Sequence, residues 1–437
     1  KHISIAPHST GLSAYDERLC LHGPPTDMLV KSGGLHSLEG SDRITRTYKG
    51  LKKVGLDRAC KIIPTRFATR KELLLVHSKT HVNSVELLQN GDKERKRYGK
   101  KYEINSVFCN EHTYAAANVS CGTLLNMVEA VMEGTVRNGI AVIRPPGHHA
   151  DASNAKGFCW YNNVAVAARY AQQSLGVRRI LIVDWDMHFG NGIYETFEND
   201  PNVLYFSVHR HDHGDFYPQH PCQGSNNVGL YEDSSEAVSG KSVNVAWNHT
   251  GLTDADYLAV WRHILLPIAE EFAPELVLVA AGFNGMMNDP IGNCMLTTAG
   301  YSQLLHKLMG LADGKVVVSL EGGADPASVA KGVIACTKTL YGVPPISLGV
   351  SSNYPSNDAI DAINNTLQAQ RKYWKSLARS VDNVASLSLC YKKNRKDSKR
   401  NKRKHAETSK REMTPTLMKP QFNKKVNRTP GGFKPAP

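Results

Sequence analysis

Apolar, β-branched runs recur along this chain at 140–146 (IAVIRPP), 179–186 (RILIVDWD), 203–210 (VLYFSVHR), 276–283 (LVLVAAGF) and 316–323 (VVVSLEGG). Each is short and nearly continuous in its apolar character, which predicts strands buried on both faces. Between them lie segments of helical periodicity at 113–133, 164–174, 254–272 and 297–312. Strands alternating with helices predict an α/β fold, a central and mostly parallel sheet with helices on both sides. In such folds chemistry gathers in the loops beyond the strand C-termini. The clusters of His and Asp in this chain stand at those ends.

The periodic body covers 11–345. Residues 345–360 are rich in Ser, Asn and Pro, and an amphipathic stretch around 359–378 predicts a last helix within an extension spanning 346–388. From 389 to 437 the chain is a basic tail with few apolar residues, a composition that predicts disorder. The tail changes the reading of the charge. Of 53 Lys/Arg and 40 Asp/Glu in 437 residues, the stretch from Tyr391 onward holds 16 and 3, which leaves 37 of each sign in a neutral body. The net charge of +13 therefore describes an appendage, and the body offers no base-specific nucleic-acid readout. The run KKNRKDSKRNKRK is either a solvated stretch or a nuclear-import and phosphate-contacting signal, so the tail allows non-specific nucleic-acid contact. The expected location is the nucleus, with the cytoplasm as an additional one.

Nine Cys stand singly, with no CxxC pair and an odd total, which argues against a zinc finger or a disulfide framework and for a reducing compartment. No stretch reaches the roughly 18 uninterrupted apolar residues of a membrane span. The first residue is Lys, not Met, and the expectation is a fragment or a processed form.

Two clusters carry candidate chemistry. In ILIVDWDMHFGNG, Asp184 and Asp186 point to one side of an extended segment and His188 follows two residues later. Acid and imidazole together suit a borderline metal such as zinc, or a closed network of Asp, His and backbone. In IRPPGHHADASNAKGFCWYNN, a Pro-Pro-Gly corner after a strand holds His148 and His149 side by side at the sheet rim. Such a pair can divide proton duties, one imidazole tuned by a carboxylate and the other less constrained.

RPPGHHA, GFCWYNNVA, DWDMHFGNG, FSVHRHDHGDFYP, AAGFNGMMNDPIG and LEGG, in this order, closely resemble the histone deacetylase family, specifically its class II members, over about residues 12–341. The resemblance implies a single-domain, three-layer arginase/deacetylase fold in which Zn2+ and a histidine dyad hydrolyse N-ε-acetyl-lysine. It also implies acetylated histone tails or other acetyl-lysine proteins as partners, together with protein complexes, chromatin regulation and transcription repression. Carried onto this sequence, it makes Asp186 and His188 zinc ligands and His148 and His149 the dyad, with His149 as general base and then acid. Asp184 matches the carboxylate that orients the first dyad His and, with Ser207, a monovalent-cation (K+) site. Asn191 stands near the second His. Gly157, Phe158 and Phe216 match the walls of the acyl-lysine channel, with Tyr217 as the aromatic alternative.

The sequence departs from that pattern at three site positions. Asn284 stands where the family has a zinc-ligand Asp, so the site loses one of two anionic ligands and the expectation is weaker metal binding. Asn288 and Asp289 are candidate substitutes if the loop shifts. Ala324 stands where the family has Tyr or His, which removes an oxyanion donor. Phe189 replaces a His outside the ligand set and is read as a packing change. The rim loop from His36 to Arg43 also lacks two prolines of the family motif, which predicts a looser loop. Two functions follow from these residues. One is a zinc-dependent deacetylase homologue with impaired activity; the other is an inactive pseudo-deacetylase that serves as an acyl-lysine-binding or co-repressor scaffold. A ureohydrolase or acetylpolyamine hydrolase on the same fold fits less well.

Overall fold

A computed structural model describes residues 9–24, 38–103, 106–218, 240–348 and 354–379. All of these belong to the first of two units, Lys1–Ser388; the basic tail expected at 389–437 lies outside the described residues. Strands β1 (Thr10–Ser13), β2 (Lys61–Ile63), β3 (Asn138–Ala141), β4 (Ile180–Asp184), β5 (Val203–Arg210), β6 (Ser242–Trp247), β7 (Leu276–Ala281) and β8 (Val316–Leu320) form one sheet. Their spatial order is β2-β1-β3-β8-β7-β4-β5-β6 and every pairing is parallel. The expected mostly parallel α/β sheet is what the chain forms.

Strand alternation divides the core into two layers. On β4, Leu181 and Val183 join one apolar cluster, while Ile180 and Ile182 join the other. On β7, Val277 and Val279 face the first cluster, and Leu276 and Leu278 face the second. With both faces covered, the strands lose the polar alternation of a half-wet sheet, which is why they read as continuous apolar runs. The helix Thr113–Met132 lies in the second layer, buried along most of its length.

Several runs end as strands a few residues early, and two boundaries differ from the sequence reading in a way that matters for the site or the core. The run at 140–146 is a strand only through Ala141; the chain then leaves the sheet toward Pro145 and Pro146. The helical segment at 254–272 consists of Asp254–Val260, a π turn at Trp261–Leu265, and Leu266–Phe272. Pro267 has no N–H to offer the preceding turn, and the wider turn absorbs the missing bond.

Within the stretch read as a last helix, Asn357–Gln370 is helical. It covers the sheet edge at β6, where Thr366 Oγ1 donates to the Asn244 carbonyl at 2.9 Å and Gln370 Nε2 donates to the Ser242 carbonyl at 3.0 Å.

Candidate active site

Five strand ends converge on one cavity of about 280 Å³. β3 brings the His148–His149 corner, β4 brings Asp186 and His188, and β5 leads to Phe216 and Tyr217. β7 brings Asn284, and β8 brings Gly322, Gly323 and Ala324. Gly157 and Phe158 close one wall. The residues named from the sequence for dyad, metal and channel thus share one cavity. Asp184, Ser207 and Phe189 are fully or almost fully buried behind it.

The two dyad rings lie 4.0 Å apart, centre to centre. His148 Nδ1 is 3.1 Å from Asp184 Oδ2, and His149 Nδ1 is 3.0 Å from Asn191 Oδ1. The two rings carry different charge states. Burial pulls the His148 imidazole down, but Asp184 and Asp186 outweigh it and push the pKa up to about 10. Burial and the cation on His148 hold His149 well below the ordinary range, so it is neutral at neutral pH. One imidazole is a fixed cation and its neighbour is a free base.

Asp184 takes a second bond from Tyr205 OH at 3.3 Å, and its Oδ1 accepts the Asp186 N–H at 3.1 Å. It pairs in register with Ser207 on β5, whose Oγ lies 2.8 Å from His209 Nδ1. Phe189 packs against Tyr194, Tyr205 and His209.

Asp186 Oδ1 lies 2.9 Å from His188 Nδ1, and its Oδ2 accepts the Gly322 N–H at 3.1 Å. The carboxyl is held well below the usual range, because the His148 charge and the bonds to His188 overcome its burial. Asn284 Oδ1 is buried and has no hydrogen-bond donor. A methyl group on Gly322 would sit 2.4 Å from Asp186 Oδ2 and 2.7 Å from Asn284 Oδ1, so glycine alone lets this turn close over both oxygens. A carboxylate, an imidazole and an orphaned buried amide oxygen form a donor set that fits a divalent cation. Among the described residues no three His, Cys, Asp or Glu side chains group to hold a metal.

Asp289 does not substitute for the missing carboxylate. Its Oδ2 accepts the N–H groups of Ala324 at 2.7 Å and Asp325 at 3.3 Å, and its Oδ1 accepts those of Ile291 and Gly292. Four backbone donors fix it as the brace of the turn that carries Ala324. Asn288 is exposed and sits at a left-handed φ of 77°.

Phe216 stacks on the His188 ring at 4.9 Å and 17°, and Tyr217 meets His149 edge-on at 5.1 Å. Both aromatics therefore form the wall. Arg210 lies 4.1 Å over the Phe216 ring and fixes that stack from outside.

Sequence reasoning gave no role to Glu321, although it read the LEGG motif that contains it. This fully buried acid accepts the N–H groups of Gly147 and His148. It also left the rim loop without an anchor. Arg43, buried to 3% exposure, donates to the carbonyls of Gly323 at 3.1 Å and Glu321 at 2.9 Å and pairs with Glu39. Glu39 pairs in turn with the wholly buried Arg144 at 2.7 Å. Residues 38–43 are thus tied down by ions where the sequence predicted loosening from lost prolines; His36 and Ser37 lie outside the described residues. The signal was that Glu39 and Arg43 persist in a motif that has lost both prolines.

The histone deacetylase domain family matches residues 37–340. Histone deacetylase 5 of Arabidopsis thaliana is 42% identical over 371 residues, which is 83% of this chain and 54% of that protein. Polyamine deacetylase HDAC10 of Danio rerio is 42% identical over 351 residues, 79% of this chain and 51% of that protein. The crystal structure of the HDA15 HD domain superposes with a TM-score of 0.76 at 35% identity, covering 86% of this chain and 99% of that one. This chain spans about half the length of the curated relatives it matches. By sequence and by fold, the chain belongs to the histone deacetylase family, among its class II-like members.

Proposed function

We propose that this chain binds N-ε-acyl-lysine in the cavity and hydrolyses its amide with strongly impaired turnover. The observation that carries the reading is a complete pair of imidazole partners, His148–Asp184 and His149–Asn191, facing a cavity where Ala324 replaces a donor and Asn284 replaces an anion. Asp186, His188 and Asn284 would hold zinc, which when bound polarises an acyl carbonyl and acidifies water.

The chain's own residues perform the remaining steps. Phe158, Phe216 and Tyr217 enclose the aliphatic stem of a lysine whose charge acetylation has removed. His149, neutral and fixed at Nδ1, takes at Nε2 the proton of the water that adds to the acyl carbon and returns it to the amine nitrogen as the C–N bond breaks. His148, held as a cation by Asp184, stabilises charge that develops beside it. At Ala324 no side-chain donor meets the oxyanion, and the residue's N–H is committed to Asp289. The loss of one such donor typically costs about 3 kcal/mol of barrier, two to three orders of magnitude in rate.

That committed N–H is also the observation that favours the second reading, an acyl-lysine-binding or co-repressor scaffold without turnover. Metal content and single-turnover hydrolysis of an acetyl-lysine peptide, compared with an Asn284→Asp, Ala324→Tyr double variant, separate the two. A gain of both zinc and rate in the double variant supports impairment by these positions. Equal rates in the two proteins would refute it, and a chain that binds acetylated peptide without turnover supports the scaffold. Acetylated histone tails and other acetyl-lysine proteins are the proposed partners. The basic tail is proposed to direct nuclear accumulation, and a reporter lacking residues beyond Leu389 that still accumulates there would exclude this.

A further inference from the structure

The Asn191 amide whose oxygen meets His149 turns its nitrogen outward. Asn191 Nδ2 donates to Glu195 Oε1 at 3.3 Å and, more weakly, to the main-chain oxygen of His149 at 3.4 Å. Glu195 lies one turn further along the helix Asn191–Phe197, so both side chains share a face of it. Its carboxylate is one-third exposed, lines a separate surface cavity with Asp151, and lies 3.9 Å from Lys156 Nζ; that ammonium contacts Asp151 at 2.7 Å.

An ionised carboxylate accepts hydrogen bonds and cannot donate them. Facing Glu195, the amide of Asn191 must present its NH2 there and its oxygen to His149. That oxygen also only accepts, so His149 Nδ1 carries the proton and Nε2 keeps the lone pair. We propose that Glu195 is a positioning residue that selects the His149 tautomer from outside the catalytic cavity, acting through the orientation of the Asn191 amide. With the amide turned over, Nε2 carries the proton and can no longer act as a base. The inference rests on the reading of His149 as the proton-handling group, but its central claim concerns which nitrogen is protonated.

The test is long-range 1H–15N correlation on the full chain labelled at histidine, near neutral pH, with His149 assigned through a His149→Gln variant. The unmodified chain should show a protonated Nδ1 and an unprotonated Nε2. Glu195→Leu, which offers no acceptor, and Glu195→Lys, which offers donors alone, should move the unprotonated signal to Nδ1 in whole or in part. Glu195→Gln, whose carbonyl accepts, should keep the original pattern. A His149 pattern unchanged in both Leu and Lys variants, or an Nε2-protonated ring in the unmodified chain, overturns the proposal. No turnover is needed for this readout, so a chain found to lack hydrolysis leaves it intact. In the Asn284→Asp, Ala324→Tyr background, Glu195→Leu should lower kcat at unchanged KM.

Discussion

Glu321 accepts the main-chain N–H of His148 at 3.1 Å and that of Gly147 at 2.6 Å, so one acid at the end of β8 fixes the corner that β3 sends out to the dyad. Burial pushes this carboxyl up from its ordinary 4.5 to about 7, against the lowering pull of the His148 charge. A folded-state pKa above the unfolded one means that the folded chain holds the proton more tightly. The associated stability is full below 4.5 and is lost as pH rises through about 7. Glu321→Gln should flatten that slope, whose span is on the order of 3 kcal/mol. Urea unfolding across this pH window measures it; an equally steep slope in the variant would contradict the assignment.

Asp184 is the counter-charge of His148. Asp184→Asn should leave the imidazolium without its nearest anion and destabilise the fold by about 3 kcal/mol at neutral pH. His148 is raised, so the stability it contributes is present below its ordinary 6.5 and is lost as pH rises through about 10. The variant should lack that alkaline loss. Thermal midpoints measured from neutral to alkaline pH provide the check.

Asp289 satisfies four backbone N–H groups. Asp289→Ala strands them and should cost about 3 kcal/mol or more, since each buried donor left unpaired costs about 1–3 kcal/mol. Asp289→Asn, which keeps one acceptor oxygen, should cost roughly half as much. Chemical denaturation of the two variants distinguishes a brace from a metal ligand, because a ligand role predicts a loss confined to metal-loaded protein.

Gly157 sits at a φ of +50°, and a Cβ there would lie 2.5 Å from His149 Cδ2 and 2.9 Å from the Tyr217 hydroxyl. Gly157→Ala should push both rings into the cavity and weaken acyl-lysine peptide binding by roughly tenfold or more, equivalent to 1.4 kcal/mol. Fluorescence anisotropy with a labelled acetylated peptide reads this. Unchanged affinity would place the lysine elsewhere.

Asn284→Asp alone supplies an anion at the buried oxygen that has no donor. Zinc affinity should rise by more than about tenfold in chelator competition, a change of 1.4 kcal/mol. An unaltered affinity would remove Asn284 from the donor set.

The strands of the sheet's centre were legible in the sequence because both of their faces are buried, and continuous burial demands continuous apolar character. β5 spans the run read at 203–210. The edge strands were not legible. β2 is three residues long with Lys61 and Ile62 exposed, and β6 carries Ser242 and Asn244 in buried positions. On β6 the two polar side chains pair with each other, Asn244 Nδ2 donating to Ser242 Oγ at 3.2 Å, and a distant helix donates to the main-chain carbonyls of this edge, contacts that no local pattern records.

The sequence by itself determined which residue types stand at the strand ends: two adjacent imidazoles, two acids spaced by one residue, and an amide and an alanine where relatives carry Asp and Tyr or His. Tertiary structure alone decided their partners. It made His148 a cation through Asp184, kept His149 neutral through burial and that cation, withdrew Asp289 from the cavity to brace a turn, and set Glu321 beneath the dyad. The reason is physical. Periodicity reports whether a position is buried, whereas charge state and role depend on which groups, brought from 36 to 174 residues away in the chain, lie within hydrogen-bond distance after folding.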